Sequence, residues 1–314
     1  MKLDALLELI LAIALLIESG TGALPAENTA EPEPAAMVEY VLPEVDRDKI
    51  RSRERNTLHT WGEFTPEQQE DLDKISEILA GYEKPISVIA YPLDGENGFS
   101  YNSRSEYFSA CTIKAAYILS LCKYLEQENY DPATLLTYKE EHYFEGSGKI
   151  RYSEFGTQYS VEYLINQALS ISDNVAYRIL LDNFGRTIHN DYMDELGCRH
   201  LKTNNMWAPY ATAEDFIVIW RELYLYFQTD TVYSRLYKRS CTGSASNYLA
   251  SDMKEWPCSH KSGHNYGSNP CYNDVILVWK DRPYILAVFT ASEGDKQDRT
   301  VVKGIADIVN YSLY

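Results

Sequence analysis

ISVIAYPLDGENGFSYN (86–102) and DVILVWKDRPYILAVFTA (274–291) decide the fold. Each holds two apolar runs of strand length around a turn signal, Asp94-Gly95 in the first and Asp281-Arg282-Pro283 in the second. Working outward, a helix opens at Thr65-Pro66-Glu67-Gln68, where a capping Thr is followed by Pro in the first turn and Gln at the third position. Leu72, Ile75, Ile78 and Leu79 then recur at helical spacing, with Gly81 near the stop. From about Ser109 to Leu225 the periodicity is helical, with amphipathic runs at 112–126, 161–183 and 213–227, and a last helix from about Asp298 carries Val301, Val302, Ile305, Ile308 and Val309. Strands at both ends with helices between them predict an α/β (α+β) fold. An antiparallel sheet flanked by helices is split between 61–108 and 255–314, and an all-helical lobe, 109–254, is inserted into it. No internal repeat is present.

The 314 residues are 45% hydrophobic and 24% charged, which supports a sizeable core and excludes wholesale disorder. A net charge of −17 argues against nucleic acid as a partner. The apolar run ALLELILAIALLI (5–17), broken by Glu8, is too short to cross a bilayer core of about 30 Å as a helix. With the small residues Ser19 to Ala23 behind it, the run reads as an export signal over 1–23, the alternatives being an uncleaved anchor or an amphipathic N-terminal helix. The charged stretch 24–60 then reads as an unstructured tether, so the expectation is an extracytoplasmic, monomeric protein with no membrane contact except through this segment. Six cysteines are too few for a disulfide scaffold. Cys258 and Cys271 flank a hairpin and either bridge it or remain opposed thiols.

Three short stretches carry chemistry. In Ser109-Ala110-Cys111-Thr112-Ile113-Lys114 a strand and loop give way to a helix, placing Cys111 in the first turn and Lys114 on the same face. A helix N-terminus and a nearby ammonium both favour thiolate, although a lone cysteine is more often a small buried apolar residue. Ser172-Asp173-Asn174 falls at the junction of two helices, where a plain helix cap is the alternative. Lys261-Ser262-Gly263-His264 opens the late sheet, and a glycine inside a strand marks close approach of another backbone or a ligand. Cys258, His260, His264 and Cys271 are soft ligand types, but their spacing matches no common zinc pattern and Lys261 repels a cation, so no metal is expected. The 26 tyrosines fit amphipathic surface and cleft lining equally well.

In order and spacing these stretches resemble the penicillin-binding and class A β-lactamase superfamily, whose signatures are S-x-x-K, S-D-N and K-[ST]-G. The likeness spans roughly residues 65–314 and includes GSGKI (146–150) ahead of the second signature. It implies a cofactor-free acyl-transfer hydrolase acting on a β-lactam or a peptidoglycan-type peptide amide through a covalent acyl-enzyme. It further implies that Cys111 attacks the carbonyl with Lys114 as base or counter-ion. Ser172 and Lys261 would relay a proton to the leaving nitrogen, Asn174 would hold the acylamide, and Lys261 and Ser262 would bind the carboxylate. The amides of Cys111 and His264, beside Gly263, would form the oxyanion hole. Two departures bear on turnover. The nucleophile position is Cys111 instead of Ser, and at the distance where the family's β-lactamases carry a water-activating Glu the chain reads Met206-Trp207-Ala208-Pro209. Slow deacylation is therefore expected, and the alternatives are a DD-carboxypeptidase or transpeptidase and a non-catalytic or acyl-trapping binding module for cell-wall peptides or β-lactams.

Overall fold

A computed structural model describes residues 42–52, 54–204, 206–242, 248, 249 and 256–314. The export signal expected over 1–23, and residues 24–41 of the expected tether, lie outside these. Ten strands are present among the described residues: β1 (His59–Trp61), β2 (Ile86–Pro92), β3 (Gly98–Tyr101), β4 (Glu106–Phe108), β5 (Leu135–Thr137), β6 (Gln158–Ser160), β7 (Tyr210–Thr212), β8 (Cys258–Asn265), β9 (Cys271–Val278) and β10 (Tyr284–Thr290). Six of them form one antiparallel sheet in the order β1-β3-β2-β10-β9-β8, while β4 pairs with β7 and β5 with β6. The two hairpins read from sequence thus lie side by side, joined through β2 and β10.

The helices are α1 (Arg47–Ile50), α2 (Pro66–Ala80), α3 (Ile113–Gln127), α4 (Val161–Ser170), α5 (Asn174–Phe184), α6 (Thr187–Glu195), α7 (Ala213–Gln228), α8 (Val232–Thr242) and α9 (Lys296–Ile308). Alternation along the central strands sends side chains to two cores. Val88, Ala90, Leu286 and Val288 pack with Leu72, Ile75 and Leu79 of α2 and with Val302 and Ile305 of α9. Ile89, Tyr91, Ile285, Ala287 and Phe289 face α7 and the helical lobe. Burial on both faces explains why these strands read as continuous apolar runs. At the centre of the lobe is α3, which is buried without a break from Ile113 to Cys122. The capping box at Thr65 and Gln68 is formed, with Gly81 as the C-cap.

Two expectations need correction. Residues 42–60 are not a free tether: α1 docks Ile50 fully into the core and β1 joins the sheet edge. Arg47 and Arg51, four apart on one face, converge on the buried Glu214 carboxylate at 2.8 Å each, and Arg47 also reaches Asp215 at 3.0 Å. Arg221 donates to the carbonyls of Leu42 and Pro43. The charges that resemble a solvated linker are thus spent on a buried ion cluster. The second correction concerns Cys258 and Cys271, which lie at opposite ends of the β8–β9 ladder, opposite Val278 and Asn265. Seven residues of strand put them roughly 23 Å apart, far beyond disulfide reach, and all six thiols are free.

Candidate active site

The site forms where edge strand β8 meets the turn Ala110–Thr112 that opens α3. Ala110 takes φ +45°, a left-handed conformation costly for a residue with a side chain. Its surroundings hold it there. Thr112 donates its amide and hydroxyl to the Ser109 carbonyl at 3.1 and 2.5 Å, Ser109 donates its own pair to the Pro209 carbonyl at 3.0 and 2.7 Å, and Asn273 on β9 holds the Phe108 carbonyl. Gly263 lets β8 press against this turn, since a Cβ there would lie 2.6 Å from the Ser109 oxygen and 3.0 Å from the Cys111 nitrogen. The sequence reading that a strand glycine marks a close approach is met by this contact.

Ser172-Asp173-Asn174 interrupts the helical run between α4 and α5. Ser172 is also left-handed, at φ +59°. Asp173 is the local organiser: one carboxylate oxygen accepts the amides of Val175 and Ala176 at the start of α5, and the other accepts those of Lys149 and Ile150. The GSGKI loop is thereby fastened to the second signature, with the Asn174 amide donating to the Ser147 carbonyl. A Cβ on Gly148 would overlap the Asp173 carboxyl at 2.2 Å. The helix-cap reading of this tripeptide is correct for Asp173, and it leaves the Ser172 hydroxyl to meet Lys261 and the Asn174 side chain to meet Lys114.

Cys111, Lys114, Ser172, Asn174 and Lys261 come together. Lys114 Nζ donates to the Ser172 carbonyl at 2.5 Å and to Asn174 Oδ1 at 2.8 Å, and the Cys111 sulfur lies 3.8 Å from the same Oδ1. Lys261 Nζ donates to Ser172 Oγ at 2.7 Å and to the Ser262 carbonyl at 2.9 Å. Asn174 Nδ2 is fixed by the Glu145 carbonyl, so this amide bridges the lobe more than it extends into the cleft. Ser262, also buried, sits across from Asp274, and half-buried His264 turns its ring to the Glu293 carbonyl at 2.7 Å.

Both lysines are essentially without solvent contact. Burial works against the Cys111 thiolate, but the Lys114 and Lys261 ammonium groups and hydrogen bonds from Ser172 and Lys114 outweigh it, so the thiol lies below its ordinary value. Burial in turn lowers Lys114, against the pull of Cys111 and Asp173, and brings Lys261 down to about 8. The arrangement can present a nucleophilic sulfur with one ammonium beside it and a second ammonium able to pass a proton through the Ser172 hydroxyl.

The segment carrying Met206-Trp207-Ala208-Pro209 places no carboxylate here; Ala208 is buried, and Trp207 lies over Lys114. Of the nearby acids, Glu214 is committed to Arg47 and Arg51, and Glu195 closes α6 beside α1. Sequence reasoning missed four contributors: Trp207, Tyr177 and the loop carbonyls of Glu145 and Ser147. Their only sequence signal was proximity to a signature.

A family model for the beta-lactamase enzyme family matches residues 72–313. No curated protein matches the sequence. Among solved structures, a β-lactamase from Sphaerobacter thermophilus shares the fold at 18% identity and TM-score 0.66, covering 78% of this chain and 98% of that one. PBP-A does so at 17% and 0.66, covering 79% and 97%. A class A β-lactamase representative from Bacteroides cellulosilyticus gives 17% and 0.66, covering 80% and 99%. The match runs from α2 through α9 and takes in all three signatures, and by it the chain belongs to the beta-lactamase enzyme family.

Proposed function

We propose that the protein is an acyl-transfer hydrolase that opens a β-lactam or a peptidoglycan-type amide through an acyl-thioester on Cys111, with slow release, and that it works outside the cytoplasm. The observation that carries this is a buried network around one sulfur: Cys111 and Lys114 share the Asn174 oxygen, Lys114 also holds the Ser172 carbonyl, and Lys261 holds the Ser172 hydroxyl. In the step proposed, the thiolate adds to the carbonyl carbon, the oxygen charge is met by the Cys111 and His264 amides, and the C–N bond breaks. Lys261 gives a proton to Ser172, which passes its own to the departing nitrogen. Ser262 and Lys261 bind the substrate carboxylate, and Asn174 offers its remaining N–H to the acylamide. Because a thiol ionises before substrate arrives, Lys114 serves as a cation, and the demand for a base falls.

The test is intact-protein mass after penicillin G, together with nitrocefin turnover, for the parent protein, Cys111→Ser and Cys111→Ala. A stoichiometric adduct on the parent that Cys111→Ala lacks supports the proposal, and no adduct on Cys111 overturns it. A second reading, an acyl-trapping binding module, is favoured by the absence of any carboxylate from the 206–209 segment in the site. It predicts an adduct that forms and never turns over.

A further inference from the structure

Trp207 occupies a position that no signature assigns. Its indole stacks on Phe144, with centroids 4.9 Å apart and planes 8° from parallel, and meets Tyr177 edge-on at 4.9 Å. The Lys114 ammonium lies 5.4 Å from the indole centroid and 5.8 Å from that of Tyr177. Lys114 is fully buried, and two of its donors are taken by the Ser172 carbonyl and Asn174 Oδ1. The Cys111 sulfur takes the third, and the flank of the ammonium is covered by aromatic surface, which stabilises a cation without accepting its proton. An aromatic wall also offers few of the two to four polar partners that hold a water.

Release of an acyl-thioester requires a water oxygen to add to the carbonyl carbon, its proton to reach a base, and the C–S bond to break, returning the thiolate. With no carboxylate on the 206–209 segment, the base nearest the sulfur is Lys114 in its neutral form. We infer that Trp207 is a positioning residue that holds Lys114 as an ammonium and shuts water out on the Lys114 side of Cys111, so that the acyl-thioester persists. The inference rests on Cys111 being acylated as proposed above.

The test follows adduct mass over time after a penicillin G pulse and removal of excess, for the parent, Trp207→Phe, Trp207→Leu and Phe144→Ala, each with a melting curve. Trp207→Phe keeps a π face and is expected to hold the adduct to within about twofold of the parent lifetime. Trp207→Leu, which lacks one, is expected to release it about tenfold faster and, with the ammonium beside Cys111 weakened, to form it more slowly. Phe144→Ala loosens the stack from outside and serves if Trp207→Leu does not fold; it too is expected to shorten the lifetime. Unchanged or lengthened adduct lifetimes in the folded Trp207→Leu and Phe144→Ala variants overturn the role of Trp207 and leave the acylation reading standing. No adduct on the parent overturns both.

Discussion

The Cys111 sulfur is governed by a contest between burial, which resists charge, and two ammonium groups, which favour it. Removing either cation therefore moves the thiol upward. Lys261→Ala is expected to raise the pH at half-maximal iodoacetamide labelling of Cys111 by about one unit, and Lys114→Ala by at least as much. Mass-resolved labelling between pH 5 and 10 checks both; a variant that labels like the parent would show that the charge pairing is idle. Lys261 gives the opposite limb. With its pKa near 8, the supply of protons to the leaving nitrogen fails as pH rises through that value, so acylation should decline above about pH 8. Lys261→Arg stays charged throughout, and its profile should lose that decline while its overall rate falls, because a guanidinium does not release a proton in this range.

Two elements meet at Gly263, and their separation is set by the absent side chain. Gly263→Ala drives a methyl into the backbone of the Cys111 turn, with an expected cost of about 1–3 kcal/mol in a denaturant melt and a loss of acylation of roughly a hundredfold, since the displaced atoms are those of the proposed nucleophile. Asp173→Ala removes a carboxylate that takes four amides, and a loss of about 2 kcal/mol or more is expected, with the loop over 146–150 released from α5. Much of this scale was legible in sequence. Thr65-Pro66-Glu67-Gln68 announces α2 because capping is local chemistry, and the apolar runs of 86–102 and 274–291, each broken by turn residues, announce strands because both faces of the sheet are buried. Gly263 was readable as a point of approach, but not what approached it. The left-handed Ala110 was hidden, because its strain is borne by partners brought in through the fold: Pro209, 100 residues from Ser109, and Asn273, 165 residues from Phe108. Trp207 over Lys114 was hidden for the same reason, as aromatic packing between distant loops leaves no spacing rule.

For the molecule as a whole, the docked stretch from Leu42 to Trp61 shows that charge composition alone does not separate linker from domain: Arg47 and Arg51 read as solvated until Glu214 faces them. Glu214→Ala should leave two guanidinium groups without their shared partner and lower stability by about 2 kcal/mol, less than a fully buried pair would lose because both arginines keep some water contact. A melting temperature unchanged in that variant would show that α1 is held without the Glu214 ion pairs, by Ile50 and the Arg47–Asp215 contact. Among the described residues no helix is long and apolar enough to cross a membrane. All six sulfurs are unbridged; burial pushes five of the thiols up, and Cys111 alone is drawn below its ordinary value. Dithiothreitol should therefore leave the unfolding curve where it was, whereas peroxide should oxidise the Cys111 sulfur in a chain that remains folded, so that a thiol lost to air is recovered with a reductant and needs no refolding.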